Sequence, residues 1–114
     1  MKPSLMVRTI NDDDVEQVVK LWNEAGLLRP WNDPRYDIAF ARQNDNSTVL
    51  VGTISDLLVA AAIVGHDGHR GWLYYVASSS LKRGRGLGRL IVETAESWLA
   101  ARCMEGQPAR ARRQ

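Results

Sequence analysis

Two β-rich runs, Val49 to Ile54 and Leu58 to Val64, stand on either side of a short turn at Ser55 and Asp56. The simplest fold for such a pair is an antiparallel hairpin, and the rest of the chain has to be arranged around it. Ala60 to Ala62 is the weak point of the second run, because alanine favours helix. Before the hairpin, Leu5 to Ile10 alternates as a strand does. A helix is expected next: Asn11, Asp12 and Asp13 are suitable caps, and Val15, Val18, Val19, Trp22 and Ala25 form one apolar face that Gly26 ends. A loop with two prolines leads into a short helix from Pro34 to about Gln43. After the hairpin, Gly65 to Gly71 is a turn by composition and Trp72 to Ala77 a fourth strand. Leu87, Leu90, Ile91, Thr94, Ala95, Trp98 and Leu99 then recur at helical spacing. The order β, α, α, β, β, β, α predicts an α/β domain with a mixed, mainly antiparallel central sheet and flanking helices.

At 114 residues, 45% hydrophobic and 25% charged, the chain has the proportions of one globular domain. Its longest apolar run, Leu57 to Val64, is far shorter than the roughly 20 residues of a membrane span. Met1 to Ile10 has no signal-peptide apolar region, so a cytoplasmic location with no membrane partner is expected. Cys103 is the single cysteine, which excludes an internal disulfide and argues against a metal site. The formal charge of +2 comes from the end of the chain: residues 102 to 114 carry a net +3, and residues 1 to 101 a net −1. A body so nearly neutral argues against a nucleic-acid partner.

Lys82 to Arg89, K-R-G-R-G-L-G-R, lies between a predicted strand and the start of a predicted helix. Gly84, Gly86 and Gly88 let the backbone turn and leave no Cβ in the way of a phosphate. The helix N-terminus adds unpaired N–H groups, and Arg83, Arg85 and Arg89 add counter-charge. An anion fits there, although a basic surface turn explains the same composition. The G-K-[ST] ending of a Walker loop is absent.

Arg83, Gly84, Arg85, Gly86, Leu87 and Gly88 match the Q/R-x-x-G-x-G/A signature of the GCN5-related N-acetyltransferases, and the segment stands between fourth strand and third helix as it does in that family. L-L-R-P-W-N-D-P, G-H-D-G-H-R-G and the Tyr74, Tyr75 strand resemble its bacterial ribosomal-protein-alanine acetyltransferase type. The resemblance covers residues 5 to about 103 and implies the acyl-CoA N-acyltransferase fold. It further implies acetyl-CoA as acyl donor, a small-molecule or peptide amine as acceptor, and direct attack by that amine. Coenzyme contacts would fall on Arg83 to Arg89 for the pyrophosphate and on Val76, Ala77 and Ser78 for the pantetheine arm. Ser78, Ser79 and Ser80 stand where relatives usually have an apolar residue and a proline.

Relatives continue into a fifth strand, a fourth helix and a closing strand pair, whereas M-E-G-Q-P-A-R-A-R-R-Q has no strand periodicity. The expectation is therefore a C-terminally truncated domain over residues 1–103, a disordered basic tail over 104–114, and an open edge on the fourth strand. A second copy covering that edge is one expected consequence. A non-catalytic coenzyme-binding or interaction module is the alternative function.

Arg29, Trp31, Asn32 and Asp33 occupy the loop that lines the acceptor side in the family, and an amine would suit Asp33 or Asp37. Tyr74 and Tyr75 are expected on opposite faces of the sheet, because strand neighbours alternate. His66, Asp67 and His69 have acid/base side chains, but a turn explains them better.

Overall fold

The computed structural model describes residues 5–67, 70–79, 86–102 and 111–113. In chain order the elements are β1 (Met6–Thr9), a 3-10 turn (Asp12–Asp14), α1 (Val15–Glu24), α2 (Pro34–Gln43), β2 (Ser47–Ile54), β3 (Leu57–His66), β4 (Gly71–Ser78), α3 (Leu87–Arg102) and β5 (Ala111–Arg113). The strands line up as β1-β2-β3-β4-β5, the first four antiparallel and β5 parallel to β4. The predicted order of elements holds, and so do the bounds of α2. Its Pro34 occupies the first turn, where a missing N–H costs nothing, and the Asp33 carboxylate caps the helix by accepting from Tyr36 N at 3.1 Å.

The central hairpin turns through Ser55 and Asp56, both with positive φ (50° and 67°). That conformation matches the twist of the strands it joins. The Ala60–Ala62 run is strand after all. β3 is covered by helices on both faces: Ala61 belongs to a core shared with α1 and α2, while Ala60 and Ala62 belong to a core shared with α3, and all three are fully buried. Small side chains are what two closely approaching layers leave room for, and packing overrides alanine's intrinsic preference. Gly71 has the same logic, since a Cβ there would collide with the methyl groups of Leu99 on α3.

The α1/α2 face is built on Trp22, Val18, Ile38, Val49 and Val51, and the α3 face on Leu73, Ile91 and Leu99. Where α1 begins, Arg8 on β1 grips Asp14 through two hydrogen bonds of 2.6 and 3.0 Å, and Asp14 also accepts from Asn11 N at 2.9 Å. The Arg8 guanidinium holds the Asp14 carboxyl below its ordinary range.

The expected tail is corrected over three residues, because Ala111–Arg113 pairs in register with Gly71–Leu73. Main-chain pairing to an exposed strand edge requires no hydrophobic periodicity, so composition gave no sign of it. Beyond Leu73 the outer edge of β4 has no strand beside it among the described residues.

β4 supplies a second correction. Tyr74 pairs with Ile63 and Ala77 with Ala61, so Tyr75 and Val76 together oppose the single residue Ala62. Tyr75 has φ of 53°, in the left-handed region. This bulge resets the alternation of the strand. Tyr74, opposite Ile63, and Tyr75, packed with Trp22, therefore share the α1/α2 face, and Val76 turns to the α3 face.

Candidate functional site

Two predicted coenzyme segments meet where β4 ends and α3 begins. Ser78 still pairs with Ala60, and Ser79 N donates to Val59 O at 2.7 Å, so the serines keep the strand on its neighbour. A Cβ on Gly88 would lie 3.9 Å from Ser78 Oγ, which brings the first turn of α3 against the end of the strand. Leu87 anchors that turn by burial against Ile54 and Val59. Gly86 precedes it with φ of 69° and, among the described residues, nothing within 4 Å of a Cβ position, and its carbonyl accepts from Leu90 N at 3.0 Å. The N–H groups ahead of Leu90 have no acceptor within the helix and carry the positive end of its dipole.

Of the other predicted residues, Val76 packs on the α3 face and Ala77 on the α1/α2 face. The Arg89 side chain is engaged with Glu93 at 2.9 Å along the surface of α3, which leaves its backbone as the part turned to the helix end. Arg83, Gly84 and Arg85 lie outside the described residues.

A second feature lies on the α1/α2 face of the same strand. A cavity of about 650 Å³ opens between α2 and β4, with Asp37, Phe40, Trp72, Tyr74 and Tyr75 among its walls. The Tyr75 hydroxyl donates to Asp37 Oδ2 at 3.1 Å, and its ring packs on Trp22 with centroids 4.7 Å apart. Burial, with the Asp37 carboxylate adding to it, pushes the Tyr75 hydroxyl above the ordinary tyrosine value, while a hydrogen bond from Asn32 works against the shift. The phenol is consequently a donor in neutral solution.

The predicted acceptor loop divides. Asn32 lines the cavity. Asp33 is spent on capping α2, and Arg29 closes its own turn by donating to Gly26 O at 2.9 Å and, through its backbone, to Asn32 Oδ1 at 2.9 Å. Trp31 is 80% exposed. Asp67 closes the β3–β4 turn, its Oδ1 accepting from Arg70 N at 2.8 Å, whereas His66 is the last residue of β3 rather than part of the turn, buried against the ring of Trp98 and in the wall of the cavity. His69 lies outside the described residues. Phe40 and Trp72 carried no signal in the sequence beyond being aromatic. Their place in the site depends on α2 lying across β4.

The model of the acetyltransferase (GNAT) family matches residues 7–107. An acetyltransferase of Yersinia pestis (strain Pestoides F) is 38% identical over 96 residues, spanning 84% of this chain and 68% of the relative. An acetyltransferase of Sodalis glossinidius (strain morsitans) is similar to the same extent, 38% over 96 residues. Among solved structures, an aminoglycoside N-acetyltransferase in complex with CoA superposes with a TM-score of 0.77 at 13% identity, over 100% of this chain and 78% of that one. A ribosomal-protein-alanine N-acetyltransferase from Brucella melitensis biovar Abortus 2308 does so with a TM-score of 0.70 at 14% identity, over 96% and 82%. At such low identity these structures are similar in fold alone.

Proposed function

The chain belongs to the acetyltransferase (GNAT) family, and on that premise we propose that it moves the acetyl group of acetyl-CoA onto a primary amine by direct attack. The observation that carries the reading is the approach of Gly88 to Ser78, which sets the open N-terminus of α3 against the end of β4. Gly86 fits a phosphate cradle, because no atom of the described residues occupies the space a side chain would fill. In this reading the backbone N–H groups from Gly86 to Arg89, with Arg83, Gly84 and Arg85 before them, hold the pyrophosphate. The outer edge of β4 at Val76, Ala77 and Ser78 holds the pantetheine arm, so no second copy is needed to cover it.

Acetyl-CoA supplies a thioester: the amine nitrogen bonds to the acyl carbon, the carbon–sulfur bond breaks, the coenzyme leaves as its thiol and the amine loses a proton. Backbone donors of β4 suit the negative charge that develops on the carbonyl oxygen, since they are fixed before reaction begins. Much of the remaining acceleration comes from holding the amine close to the acyl carbon. The acceptor enters from the α1/α2 face, where Tyr75 and Asp37 meet. A small-molecule or peptide amine is the acceptor that the resemblance implies.

Calorimetric titration of acetyl-CoA into the parent chain and into Gly88→Glu tests the coenzyme site. Gly88 has ordinary backbone angles, so the variant adds a carboxylate at the helix end without backbone strain. Binding by the parent and a loss of at least tenfold in the variant is the expected result. A folded parent that binds no acetyl-CoA would overturn the reading.

A further inference from the structure

The cavity between α2 and β4 carries one carboxylate, Asp37, among its described lining residues. None of them is a lysine or arginine, and His66 is the basic side chain in the wall. The rings of Phe40, Trp72, Tyr74 and Tyr75 line the same cavity, and Tyr75 is in contact with Asp37. Aromatic faces beside a fixed carboxylate attract a cation and disfavour an anion. Tyr75 occupies one lobe of the carboxylate, at Oδ2, and orients it; Oδ1 has no such bond from Tyr75.

The chemistry of acyl transfer narrows what that cation is. The attacking amine has to be neutral, and a carboxylate beside it would hold it as unreactive ammonium. Asp37 is therefore better used on a positive charge that does not react. Asp33, the other acidic candidate of this region, is unavailable, because its carboxylate caps α2. At about 650 Å³ the cavity is in the range of small-molecule sites.

We infer that the acceptor is a small dication, a primary amine carrying a second ammonium group, and that Asp37 is the residue that selects it. This inference deepens the acetyl-transfer reading and rests on it for the identity of the acceptor side.

Three amines of equal length separate the possibilities: putrescine, n-butylamine and γ-aminobutyrate, the last bearing a carboxylate where putrescine has its second ammonium. Binding is read without coenzyme, from backbone amide shifts during titration. Putrescine is expected to bind saturably and to move the amides of Asp37, Phe40 and Tyr74, with n-butylamine at least tenfold weaker and γ-aminobutyrate silent. Asp37→Asn is expected to erase putrescine's advantage, and Tyr75→Phe to keep the order of the amines because the carboxylate remains. Equal binding of the three amines, putrescine shifts confined to other residues, or full putrescine binding by Asp37→Asn would each overturn the inference. Thiol release from acetyl-CoA with the same amines then reports on the transfer reading separately. If putrescine binds in the cavity and no amine releases thiol, acetyl transfer fails and the cation site stands.

Discussion

The Tyr75 hydroxyl reaches from the bulge of β4 to Asp37 Oδ2 on α2, a separation of 3.1 Å. The two residues are 38 positions apart in the chain, and the bond exists because the bulge turns Tyr75 onto the face that α2 covers. It joins the proposed acceptor cavity to the strand that carries the proposed coenzyme contacts.

One consequence appears in alkaline titration. Tyr75 is raised above the ordinary tyrosine value by burial and by Asp37, so the folded state keeps a proton that the unfolded chain gives up near pH 10. The stability tied to this group is complete below that pH and is lost as pH rises toward the folded value. Phenolate absorbance of the parent should show a step above the ordinary tyrosine value. In Tyr75→Phe that late step should be missing.

Asp14 gives the opposite slope. Held down by Arg8, it contributes stability that is complete above the ordinary aspartate value and is lost as pH falls below it. Asp14→Asn should cost about 1–2 kcal/mol at neutral pH, with the half-exposed Arg8 keeping the figure small. Urea unfolding should find the gap between parent and variant closing in acid.

Trp22 is fully buried, and its Nε1 has no hydrogen-bond partner among the described residues. Trp22→Ala should cost about 3–5 kcal/mol through the cavity it leaves. Trp22→Phe should cost much less, because it removes an unpaired donor worth about 1–3 kcal/mol along with part of the ring. Denaturation midpoints of the two variants against the parent give the comparison.

Gly71→Ala places a methyl group against Leu99 and should destabilise by about 1–3 kcal/mol. Combined with Leu99→Ala, the penalty should be smaller than the sum of the single changes, since the second substitution vacates the space the first one needs. A double-mutant cycle on unfolding free energy measures the difference. Strict additivity would mean that the two residues do not touch.

Local physics was legible in the sequence. The hairpin at Ser55 and Asp56, the proline-started helix α2, the stop at Gly26 and the glycine-bearing start of α3 all follow from signals within a few residues of where they act. The anion site proposed at Gly86 to Arg89 rests on a signal of the same kind, a helix end and the glycines before it.

Tertiary structure decided what depends on distant partners. Ala60 to Ala62 are strand because helices press on both faces of β3. Tyr74 and Tyr75 share a face because one extra residue in β4 resets the alternation opposite Ala62. Arg89 turns to Glu93 along α3, and Asp33 caps α2, so two residues that composition offers to a ligand are partly or wholly engaged by the protein itself. The strand edge beside Gly71–Leu73 took up Ala111–Arg113 through main-chain bonds that side chains do not announce. Periodicity determines which elements form, and it does so residue by residue along the chain. Register, bulges and the pairing of Asp37 with Tyr75 are set by contacts between segments far apart in sequence, and those exist only once the sheet is assembled.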